Sequence, residues 1–221
     1  MRSAYLFLLS LPIAVLSKLR YKAALEVALG HRQQQLITDF CWGKVTILGQ
    51  IIKSTGNVKG AILIKKDEVG GWDWSQHEVD FGDMMKYHSA GIQPEEVMPF
   101  IQARQPVIIL TAGVVGVLNL SDGARKAIAD ASYELLDLAE DNARAEAIGE
   151  EVFHAHCKAG SLVLDNLSPR GKEGLRTAID KVKQGKPLVL RAYTGDALII
   201  ANEMHEQFPD LAFSGLLHSN C

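Results

Sequence analysis

Hydrophobic positions along the chain change period several times, and each change marks an expected element. Ala4 to Leu16 is a run of thirteen residues without a charge. Over 18–38, Leu19, Ala23, Val27 and Gly30 recur at helical spacing among residues that favour helix. Over 44–66 the pattern turns β-like. Two β-branched runs, KVTILGQII and VKGAILIKK, flank Ser54-Thr-Gly-Asn57, which predicts an antiparallel hairpin. Residues 67–93 are acidic and aromatic, with Trp72 and Trp74 two apart, and read as a loop.

Pro94-Glu95-Glu96 places proline and acids in a first turn, so a helix is expected from there to about Arg104. Pro106–Leu120 is apolar but short for a membrane span, and it predicts a buried strand over Val107–Leu110 followed by a glycine turn. Ser121 then caps an expected long helix. Its stripe is Ala124, Ile128, Ala131, Leu135, Leu138, Ala145 and Val152, with Asn142 on the same stripe. The opposite face would be a solvated acidic surface of Asp130, Glu134, Asp137, Glu140 and Asp141.

After Gly160 the order becomes regular. SLVLD reads as a strand, Ser168-Pro169 opens a helix to about Gln184, and PLVLRAY is a strand. Gly195-Asp196 opens a helix to about Phe208, and LAFSGLL is a last strand. Strands alternating with helices are the mark of parallel β with crossover helices. The expected class is therefore α/β: a mixed sheet with an N-terminal antiparallel hairpin and C-terminal parallel βα units, preceded by an apolar and basic N-terminal helix. The division expected is 1–38 for that helix and 39–221 for the α/β domain.

Composition is that of an ordinary folded chain, with 48% hydrophobic and 22% charged residues, which excludes wholesale disorder. Three cysteines do not make a disulfide framework. The net charge of −3 conceals an asymmetry. Residues 1–66 hold ten Lys/Arg against two acids, Glu26 and Asp39, a net of +8; residues 67–221 carry a net of −11.

Three readings of the amino terminus stay open. Arg2 precedes the apolar run and Lys18, Arg20 and Lys22 follow it. The run is short for a spanning helix but has the length of a signal-peptide core, with a cleavage site near Ser17. It could also be a buried core element. The basic flank disfavours export and keeps the downstream chain on the cytoplasmic side. Residues 1–66 would then meet an anionic membrane surface.

Candidate chemistry sits where an open α/β sheet binds ligands, beyond the carboxyl ends of its strands. Asp165-Asn166 follows one such strand. Arg191 and Thr194-Gly195-Asp196 follow another, joining a cation, a hydroxyl and a helix N-terminus, a combination that suits phosphate or carboxylate. The alternative is that these residues cap helices and pair with one another, Arg191 with Asp165. P-loop and G-x-G-x-x-G patterns are absent, as is G-x-S-x-G. His154, His156, Cys157, His218 and Cys221 lack the spacing of a known zinc motif, so no metal is expected.

Ser161–Pro169, reading SLVLDNLSP, resembles the strand-to-helix segment of quinolinate phosphoribosyltransferases, and Phe213–Ser219 resembles their G-x-x-x-H-S segment. That family's basic substrate-binding run has no counterpart upstream, so the resemblance implies only that Asp165 and Asn166 occupy a ligand-facing position.

Two functions are expected from this. The first is a membrane-proximal cytosolic binding or regulatory module acting through a protein partner. The alternative is an enzyme or sensor for an anionic small molecule, phosphorylated or nucleotide-like, at the strand ends. Nucleic acid is disfavoured by the −11 body, which repels phosphate. No cofactor is identified.

Overall fold

A computed structural model describes residues 35–41, 43–73, 90–113, 116, 118–139, 162 and 166–218. The apolar run, the basic stretch that follows it as far as residue 34, Trp74, the 140–161 segment and Asp165 lie outside these. Contacts divide the chain into Met1–Gln35 and Leu36–Cys221, and the second unit is the α/β body.

Among the described residues that body holds two sheets. The first is three-stranded and antiparallel, in the order β1 (Ile37–Cys41), β2 (Lys44–Ile47), β3 (Gln50–Lys53). Ile37 and Thr38, expected at the end of a helix, are therefore strand. An antiparallel hairpin is present, but it forms within the first run, Ile47 pairing directly with Gln50 across Leu48-Gly49; the expected pairing of the two runs across Ser54–Asn57 does not form, because Val58–Ile64 belongs to the other sheet. Leu48 and Gly49 both have positive φ, 51° and 74°, as a type I′ turn requires. For Gly49 this is free of steric cost; for Leu48 it costs about 1 kcal/mol.

The second sheet has six strands in the order β5-β4-β9-β6-β8-β7. β4 (Val58–Ile64) and β5 (Glu68–Asp73) form an antiparallel pair, and β4 joins β9 (Phe213–His218) antiparallel. Residues 68–73 are thus strand, where the acidic and aromatic composition suggested a loop. β6 (Val107–Thr111), β7 (Glu134–Asp137), β8 (Leu188–Ala192) and β9 run parallel.

Helices cover both faces of this sheet. Alternation along β6 sends Val107 and Ile109 into one apolar cluster, with Leu188, Leu190 and Phe213. Helices α3 (Pro169–Lys183) and α4 (Thr194–Gln207) contribute Leu175, Leu198 and Met204 to it, and the small sheet contributes Phe40, Val45 and Ile47. Ile108 and Leu110 face the other cluster, which α1 (Pro94–Gln102) and α2 (Asp122–Asp130) complete with Val97, Phe100, Ala124 and Ile128. Connection direction explains the sides. The step from β6 through α2 to β7 moves one way along the sheet, and the steps through α3 and α4 move the other way. Crossovers of a single hand must then place α2 opposite α3 and α4.

The long helix expected after Ser121 is overturned. Ser121 does cap α2, accepting from the Ala124 amide at 3.1 Å, but the helix ends at Asp130 and β7 follows. Ser132, with φ 63°, donates its amide to the Ala129 carbonyl, and Tyr133 donates to Ile128. This is a Schellman stop with serine in the position usually given to glycine. Leu135 and Leu136 are strand residues, paired in register with Val189 and Leu190.

Candidate functional site

The crevice that an open parallel sheet offers to ligands lies between strands whose following connections leave toward opposite faces. Here those strands are β6, which leads to α2, and β8, which leads to α4. Four of the six residues singled out from sequence, Arg191, Thr194, Gly195 and Asp196, lie at this carboxyl end of β8 and all are buried.

They do not converge on one cleft. Arg191 is 1% exposed. It donates from Nη1 to Asp137 Oδ1 at 2.7 Å and from Nη2 to the Leu118 carbonyl at 2.6 Å. Asp137 is its register partner across the β7–β8 ladder. The carboxylate also accepts from Arg125 Nη2 of α2 at 2.9 Å and from the Ala139 amide at 3.1 Å. Arg170 of α3 donates to the Asp137 backbone carbonyl at 3.2 Å. Asp137 was expected on a solvated acidic face; its side chain is instead 5% exposed.

Asp196 serves a different helix. Its Oδ1 accepts from the Ser168 amide at 3.0 Å and its Oδ2 from the Ser168 hydroxyl. The same hydroxyl oxygen accepts from the Gly171 amide at 2.9 Å, capping α3. Gly171 lets this happen, since a Cβ there would stand 2.7 Å from the Asp196 carboxyl carbon. Thr194 donates from Oγ1 to the His218 carbonyl at 3.2 Å and from its amide to Gly113 at 3.0 Å.

Backbone bonds also tie the two switch-point strands together beyond the sheet. The Ala112 amide reaches Ala192 at 2.7 Å, and Leu118 donates back to Ala112. Tyr193 packs against Gly116 so closely that a Cβ on Gly116 would strike its ring. Asp165 lies outside the described residues. The expectation that its strand neighbours β8 also falls outside them; the two sides of β8 are occupied by β6 and β7. Asn166 is exposed.

A second polar group gathers at the ends of β9 and β5. His218 is 1% exposed and meets the Trp72 ring edge-on at 5.6 Å. Trp72 donates from Nε1 to Glu96 Oε1 at 2.7 Å, and the other Glu96 oxygen accepts from the Gln93 amide at 2.7 Å. One carboxylate thus closes the capping box of α1 and pins the tryptophan. His154, His156, Cys157 and Cys221 lie outside the described residues, and among those described no cluster of metal-ligating side chains occurs.

Sequence reasoning missed the roles of Asp137 and Arg125, the Ser168–Asp196 contact and the Glu96–Trp72 contact. An available signal was the S-P helix start at Ser168, which marks a cap in need of a partner.

No family model matches the chain, and no curated protein matches it. Among solved structures it is similar to conserved hypothetical protein PH1505 from Pyrococcus horikoshii OT3, at 13% identity and a TM-score of 0.43, over 84% of this chain and 98% of that one. No helix among the described residues is long and apolar enough to cross a membrane.

Proposed function

We propose that this chain is a non-catalytic α/β binding or regulatory module, held at the cytoplasmic face of a membrane by its basic first 66 residues and acting through protein contacts. The observation that carries the non-catalytic reading is the closed switch point. An enzyme or sensor of anions needs a free cation and free amides there. Arg191 is instead held by Asp137 and Leu118, and Thr194 bonds to Gly113 across the crevice. The membrane reading draws on sequence: a net of +8 over residues 1–66 against −11 for the rest.

A second reading, binding of a phosphorylated small molecule, is favoured by one detail. Arg191 Nε is buried without a hydrogen-bond partner, and three guanidiniums, those of Arg125, Arg170 and Arg191, surround the Asp137 position.

Thermal melting with inorganic phosphate, nucleotides and sugar phosphates separates the two. The binding-module reading expects no shift. A concentration-dependent rise in melting temperature that Arg191→Met removes would overturn it, since a ligand of the native state stabilises by mass action. In cell fractionation the full chain is expected with membranes, and deletion of residues 1–17 is expected to release it. Recovery of an N-terminally cleaved form outside the cytosol would refute the placement.

A further inference from the structure

We draw no further inference here: the strongest candidate, the cluster of Arg125, Arg170 and Arg191 gathered around Asp137 at the carboxyl ends of β7 and β8, belongs to the site already described, where the Asp137 carboxylate and the Leu118 carbonyl hold Arg191.

Discussion

Replacing Asp137 by asparagine would test the account of the strand end most directly. The two side chains have nearly the same shape, so the change removes charge with little loss of packing. In the native protein the Asp137 carboxylate faces Arg191 at 2.7 Å and Arg125 at 2.9 Å. Arg125 is a third exposed and can turn to water; Arg191, 2% exposed at its side chain, cannot. After the change, Arg191 faces only neutral acceptors, the Leu118 carbonyl and the asparagine side-chain oxygen. A buried ion left without its counter-charge costs about 3–5 kcal/mol, against a typical total stability of about 5–15 kcal/mol. For a body of this size that is a fall in melting temperature of roughly 10 °C. Urea unfolding followed by circular dichroism, extrapolated to water, measures it. The loss should persist at high salt, because buried pairs are little screened. Asp137→Leu with Arg191→Met, which removes both charges, should recover most of the loss. A loss below about 1 kcal/mol for Asp137→Asn, outside the range for a broken buried pair, would refute the reasoning, since the guanidinium would then have to be hydrated in solution.

Two further outcomes follow from single side chains. Asn202 of α4 accepts from the Ile37 amide at 2.8 Å and donates to the Ile37 carbonyl at 2.9 Å; Asn202→Leu strands both buried groups, should cost about 2–4 kcal/mol, and should speed hydrogen exchange at the Ile37 amide. Glu203 has its carboxyl pushed above the ordinary glutamate value by burial first and by Glu206 second. The folded state therefore holds that proton more tightly than the unfolded chain, so this group adds stability as pH falls through the raised value toward the ordinary one and withdraws it as pH rises. Glu203→Gln should raise the melting temperature at neutral pH and flatten its rise on acidification, and an unchanged pH profile would contradict the burial argument.

How much of this was legible in the sequence depended on which residue carried each signal. Three helices end in the same Schellman geometry. In α3 the left-handed residue is Gly185, and Lys186 donates to the Lys181 carbonyl; glycine is the usual signal for such a stop, and the end near Gln184 was readable. In α1 it is Arg104, and in α2 it is Ser132. Neither residue type announces a left-handed turn. At α1 the end near Arg104 was nevertheless readable, because Pro106 follows at once. At α2 the apolar spacing continued in phase through Leu135 and Leu138, so a helix and a helix-plus-strand fitted the same pattern. Pairing of Glu134–Asp137 with β8 decided between them, and pairing over fifty residues leaves no local trace.

That single error determined what could be known of the candidate site. With β7 hidden inside a helix, β8 lacked its neighbour, and the acid expected to face Arg191 was Asp165, at the end of the strand read before it. The rule that ligand-facing groups gather beyond parallel strand ends led to the right end of the right strand. The identity of the counter-charge, and with it the difference between a free cation and a neutralised one, depended on strand order. Composition and charge located where chemistry could occur, while the ladder register determined whether the groups were free to perform it. Asp137 and Arg191 stand directly opposite in that register, so a one-residue slip of β7 would turn Leu136 or Leu138 toward the guanidinium and leave it unpaired. The buried pair therefore does more than fill the crevice: it opposes slippage of the last strand of the sheet.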